Sequence, residues 1–144
     1  MSPEAEPRMP DTQTAAQITT VVAAEPQLFV TDVDRACAYY VEKLGFSVAF
    51  AYGEPPFYAQ VGRGGAQLNL RLLSEPAIDP DLREREELLA ATITLDVAEP
   101  LYREFQRAGV EFREGLMMQP WGAWTFVVAD PDGNRILFAA SSRA

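Results

Sequence analysis

No histidine occurs anywhere in the 144 residues. That gap removes the Ser-His-Asp and Cys-His catalytic arrangements, together with the imidazole on which most catalytic first-row metal sites depend. Cysteine is nearly absent as well. Cys37 is the only one, so the chain has no intramolecular disulfide, and without a histidine to activate the thiol it reads as a small core residue. Long apolar runs are missing: nothing approaches the roughly 20 residues of a membrane-spanning helix. Met1 to Thr20 carries Pro3, Pro7 and Pro10, mixed charges and no apolar segment, unlike a secretory signal. Basic residues are few, 12 against 21 acids for a formal charge of −9. Arg63, Arg71, Arg83, Arg85, Arg103 and Arg107 are scattered and form no stripe. Partners that demand clustered cations, nucleic acid or an anionic membrane, are therefore excluded. The acidic balance serves solubility or draws in a cationic ligand. A soluble, cytoplasmic protein is the expectation.

What is present suffices for one domain. Apolar residues make up 48% and aromatics 10%, enough for a hydrophobic core, whereas half the chain alone would be marginal. Residues 1–22 read as a flexible arm. Beyond them the chain repeats itself. Gln27-Leu28-Phe29-Val30-Thr31 is strand-like, and Thr31 or Asp32 caps a helix from Val33 to Leu44. Its inner positions are Val33, Cys37, Tyr40, Val41 and Leu44, and Gly45 stops it. Strands are expected at Phe46–Tyr52, Phe57–Val61 and Ala66–Leu73. The second half has a strand at Thr92–Val97 and a helix over Glu99–Ala108 stopped by Gly109. Further strands follow at Glu111–Leu116, Trp124–Ala129 and Arg135–Ala140. Asp32 precedes Gly45 by thirteen residues, and Asp96 precedes Gly109 by the same interval, which supports two β-α-β-β-β modules. We divide the chain into module 1 (23–74), a charged connector (75–89) that is helical over part of Asp79–Leu89, and module 2 (90–140). The fold class is α+β, with one helix covering one face of each sheet.

The ordered combination of strand, Asp32, helix and Leu44-Gly45-Phe46, then Ala108-Gly109-Val110, then Asp130-Pro131-Asp132-Gly133-Asn134 resembles the glyoxalase/bleomycin-resistance/dioxygenase superfamily, the vicinal oxygen chelate proteins. The resemblance spans about residues 23–140. It implies two modules with cupped mixed sheets and, in metal-dependent members, four ligands from the first and last strands of each module. Carried onto this sequence, those positions are Glu25, Asn69, Ala90 (or Thr92, with the alignment moved by two) and Leu137. One carboxylate and one amide do not make up the roughly three donors of a catalytic site. The expectation is no metal and no other cofactor.

The resemblance is nearest to the metal-free bleomycin-resistance branch, whose members are small, acidic and dimeric and sequester an aromatic antibiotic without altering it. Gln119-Pro120-Trp121-Gly122-Ala123-Trp124 is the local likeness, and it implies Trp121 beside the ligand and Trp124 in the core. Strand alternation puts Tyr58 with Gln60, Asn69 with Arg71, and Phe29 with Glu25. The expected ligand-binding set is thus Trp121, Tyr58, Phe29, Gln60, Asn69, Arg71 and Glu25, suited to a flat, partly polar molecule. Arg71 is out of keeping with a cationic ligand unless Glu25 pairs with it. Binding of a small organic molecule by a homodimer, as in antibiotic sequestration, is the expected function. Two alternatives stand beside it: a metal-independent isomerase or lyase with Glu25 as base, and an interaction module without a ligand.

Overall fold

A computed structural model describes residues 17–144. Most of the expected arm, residues 1–16, lies outside the described residues, and residues 17–26 have no regular secondary structure. Module 1 runs β1 (Gln27–Val30), α1 (Val33–Glu42), β2 (Ser47–Gly53), β3 (Pro56–Arg63) and β4 (Ala66–Leu72). A short helix α2 (Pro80–Glu86) links it to module 2, which comprises β5 (Leu89–Thr94), α3 (Glu99–Arg107), β6 (Phe112–Met118), β7 (Trp124–Ala129) and β8 (Arg135–Ala140). The sheets have orders β1-β4-β3-β2 and β5-β8-β7-β6, and in each the first strand joins the last in parallel. The α+β class and the repeated module are as the sequence implies.

Local chemistry accounts for the boundaries. Asp32 caps α1 by accepting from the Arg35 amide at 3.0 Å. The chain leaves α1 through Gly45 at φ +73, where an added Cβ would also lie 2.5 Å from the Arg63 guanidinium. Gly109, at φ +78, performs the same stop after α3. Val33, Ala36, Tyr40 and Leu44 are buried, but Val41 is exposed, so the inner face of α1 is narrower than the periodicity suggested. β5 starts at Leu89, ahead of the expected Thr92, because parallel pairing with β8 begins opposite Arg135.

One apolar cluster unites the modules, with Leu28, Val61, Leu68 and Leu70 from the first and Phe126, Val128, Ile136 and Phe138 from the second. Phe105 of α3 meets Phe126 and Phe138 edge-on at 5.9 and 5.3 Å. Two polar clasps fix the relative placement of the modules. At one, the β7–β8 turn docks on module 1. Tyr40 Oη donates to Asp130 Oδ2 at 2.9 Å, Thr31 Oγ1 to Asp132 Oδ1 at 2.6 Å, and Asn134 Nδ2 to the Phe29 carbonyl at 3.0 Å. At the other, Arg63 pairs with Glu104 at 2.6 Å and also donates to the Leu44 carbonyl, while Lys43 Nζ donates to the Ala108 carbonyl. The Asp-Gly turn therefore does more than reverse the chain: it ties one module to the other.

Candidate functional site

Helix α1 covers one face of the first sheet, and the other face is open. Register decides which side chains share that open face. Gln27 lies opposite Asn69, Phe29 opposite Arg71, Gln60 opposite Asn69, and Tyr58 opposite Arg71. Their neighbours Leu28, Ala59, Val61, Leu68 and Leu70 point into the core. The open face thus carries two rows across the strands: Gln27, Asn69, Gln60, and, one pleat along, Phe29, Arg71, Tyr58. Six of the seven residues singled out from sequence lie on or over this face.

Glu25 stands above the first row. Its Oε1 accepts from Gln60 Nε2 at 3.1 Å and Asn69 Nδ2 at 3.3 Å, and Gln60 Nε2 also donates to Asn69 Oδ1 at 2.9 Å. Glu25 is also the base of the catalytic alternative. It is exposed, and its acceptor Oε1 is engaged by the two amides rather than by Arg71. Arg71 has no acidic partner among the described residues.

The sequence did not point to Phe50 and Tyr52 of β2, which extend both rows. Phe50 pairs with Gln60 and Tyr52 with Tyr58, and the Phe50 ring lies 5.3 Å from Tyr52 and 5.8 Å from Tyr58. Alternation continued from buried Phe46 assigns both to the helix side. A register shift between Val48 and Phe50 turns them over, and that bulge has no sequence signature.

Trp121 sits apart from these residues, on the β6–β7 turn, with 72% of its surface exposed. Trp124 is half-buried in β7, its ring covered by the Arg143 guanidinium at 4.8 Å. Cys37 is partly buried, and burial together with nearby Asp34 pushes its thiol above the usual range, away from the reactive thiolate.

The four positions matching the metal ligands of the superfamily do not fit a divalent ion. Glu25 Oε1 and Asn69 Oδ1 already accept amide protons. The parallel pair Thr92–Leu137 corresponds to Gln27–Asn69 in module 1, making Ala90 the counterpart of Glu25 and Leu137 that of Asn69. Neither offers a donor atom. Among the described residues no three His, Cys, Asp or Glu side chains group as a metal site.

A cavity of about 740 Å³ lies elsewhere, at the seam between the modules. Phe46, Leu68, Ile93, Leu101 and Phe138 line it, and Ala24 and Pro26 at the root of the arm form its lip. None of the seven candidates contributes to it. Its one cation, Arg63, is committed to Glu104 and to the Leu44 carbonyl.

The family model for the Glyoxalase/Bleomycin resistance protein/Dioxygenase superfamily matches residues 17–138. The chain belongs to this superfamily. Among solved structures it is similar to UcmS2, at 23% identity and a TM-score of 0.66 over 86% of this chain and 100% of that one. It is also similar to a bleomycin-binding protein complexed with bleomycin, at 24% identity and TM-score 0.68 over 83% and 98% of the two chains. A third is the bleomycin-binding protein from bleomycin-producing Streptomyces verticillus complexed with copper(II)-bleomycin, at 25% identity and TM-score 0.67 over 85% and 98%. Comparison with curated proteins gives no match. The fold is the vicinal oxygen chelate fold, and its relatives include small-molecule binders. No helix among the described residues is long and apolar enough to cross a membrane.

Proposed function

We propose that this protein binds a flat organic molecule on the open face of module 1 and holds it unaltered, as an antibiotic-sequestering protein does. The observation that carries the reading is the convergence of Phe29, Tyr58, Gln60, Asn69, Arg71 and Glu25 on one face, extended by Phe50 and Tyr52. Aromatic planes supply stacking area, and a few polar groups orient the guest. Binding is favoured over catalysis by Glu25, because its carboxylate is exposed and its Oε1 is already held by two side-chain amides.

The binding unit we propose is a cytoplasmic homodimer. Ile18, Val21 and Val22 in the arm are 87%, 88% and 90% exposed, and Met117, Met118 and Trp121 are exposed at the β6 edge. Apolar groups so placed call for cover. In this arrangement the arm of one copy lies in the seam cavity of the other, and Trp121 of the second copy closes the open face of the first.

Thermal-shift screening against aromatic antibiotics, bleomycin among them, tests the reading. One site at 100 times its dissociation constant adds about 2.7 kcal/mol of stability. Mass analysis of the recovered compound then separates a sequestrant, which returns it intact, from a lyase or isomerase, which does not. A complete absence of stabilising compounds favours an interaction module.

A further inference from the structure

The hydrogen bonds on the open face narrow the class of guest, on the premise that this face is the binding site. In the first row the amide donors are turned inward. Gln60 Nε2 serves Glu25 and Asn69 together, and Asn69 Nδ2 serves Glu25. The remaining Glu25 Oε2 and Gln60 Oε1 have no side-chain donor among the described residues, so this end offers acceptors and a negative charge. The second row offers the opposite. Arg71 is exposed, lies between Phe29 and Tyr58, and is unpaired among the described residues. A guanidinium has donors only. Asn69 and Arg71 are two residues apart on one strand, so the two ends are separated by roughly 7 Å. Phe50 ends the first row and Tyr52 the second, and the Phe50 ring lies beside both Tyr52 and Tyr58.

We infer that the guest is an aromatic zwitterion, with an ammonium or N–H donor facing Glu25 and Gln60 and a carboxylate-type anion on Arg71. The ring bridges the two ends against Tyr58 and Phe50. A purely cationic aromatic leaves Arg71 unmatched, and a purely anionic one faces Glu25. Like charge held this close lowers affinity, so the same pair of charges also rejects singly charged analogues.

Three probes share one ring and separate the two charged ends. 4-(Aminomethyl)benzoate carries both groups at about the required spacing, its methyl ester only the cation, and 4-methylbenzoate only the anion. Each is titrated into the full chain by two-dimensional NMR, following the amides of residues 50–60 and 69–71, which reports affinities in the millimolar range. The zwitterion is expected to bind at least about tenfold more tightly than either analogue. Arg71→Gln should equalise the zwitterion and its ester, and Glu25→Gln should equalise the zwitterion and 4-methylbenzoate. An ester as tight as the zwitterion, or a ranking untouched by both variants, overturns the inference. Equal shifts from all three probes leave the face a charge-indifferent aromatic site, so that the zwitterion inference fails and the broader reading stands. Silence at those amides up to about 10 mM overturns the inference as well, and the broader reading then stands or falls on the antibiotic screen.

Discussion

Replacing Asp130 by alanine should cost the protein much of its stability, although the residue lies outside every proposed binding position. Its side chain is almost wholly buried and accepts four hydrogen bonds. Oδ1 takes the amides of Asp132 and Asn134 at 2.9 Å each, and Oδ2 takes Tyr40 Oη and Asn134 Nδ2, also at 2.9 Å. Truncation leaves the Tyr40 hydroxyl and the Asn134 main-chain amide as buried donors without acceptors, at about 1–3 kcal/mol each, whereas the Asn134 side chain keeps the Phe29 carbonyl. Part is recovered because a desolvated carboxylate is removed, so we expect a net loss of about 3 kcal/mol. With a urea slope of about 1–3 kcal/mol/M, the midpoint falls by about 1–3 M. Tyr40→Phe removes one donor while Oδ2 keeps another, and should cost about 1 kcal/mol. The pH dependence gives a second reading. Burial raises the Asp130 carboxyl above its ordinary 3.8, against the opposing hydrogen bonds from Asn134, Tyr40 and Asp132. A raised value means that the linked stability is full below about pH 3.8 and is lost as pH rises through the folded-state value. The gap between wild type and Asp130→Ala should therefore narrow as pH rises through the carboxylate range. A loss below about 1 kcal/mol, or a Tyr40→Phe cost equal to that of Asp130→Ala, refutes the clasp.

Trp121→Ala should leave the urea midpoint nearly unchanged and weaken a bound aromatic ligand at least about tenfold. Trp124→Ala should instead cost about 2 kcal/mol of stability, from lost packing and the lost Arg143 contact, with little effect on binding. Light scattering at tens of micromolar should give the dimer mass, and deleting Met1 to Val22 should shift the equilibrium toward monomer; a monomer mass for the full chain contradicts the proposed assembly. Elemental analysis after chelator dialysis should find no stoichiometric zinc, manganese, nickel or iron, and one metal per chain overturns the reading of Glu25, Asn69, Ala90 and Leu137. The hydrogen bond from Arg63 holds the Glu104 carboxyl below its ordinary 4.5, so its stabilisation is present above that pH and is lost as pH falls through the lowered value. Glu104→Gln should accordingly destabilise by about 0.5 kcal/mol at neutral pH and converge with wild type in acid.

The fold was legible because its signals are short and local. Asp32 with Gly45, and Asp96 with Gly109, mark the ends of two equal helical units, and the Asp130–Asn134 turn marks the final hairpin. The face of each strand was legible where alternation ran unbroken, as in Gln67-Leu68-Asn69-Leu70-Arg71 and Phe57-Tyr58-Ala59-Gln60-Val61. It was not legible in β2, where the bulge after Val48 moves Phe50 and Tyr52 to the open face. The clasp formed by Tyr40, Thr31 and the β7–β8 turn was also invisible, since its partners are as far apart as Thr31 and Asp132. Whether Glu25 meets Arg71 or the amides could not be read from parity, because both lie on one side of the sheet and only their distances decide. Trp121 lies apart from the module 1 face within one chain, and only the proposed dimer would bring the two together.

The most direct test of the central claim is calorimetric titration of the tightest aromatic compound from the screen into wild type, Tyr58→Ala and Arg71→Gln. Saturable binding at one compound per chain is expected, weakened at least about tenfold in both variants at unchanged folding midpoint, with the compound recovered intact. Full-strength binding to both variants, or a compound returned chemically changed, contradicts it.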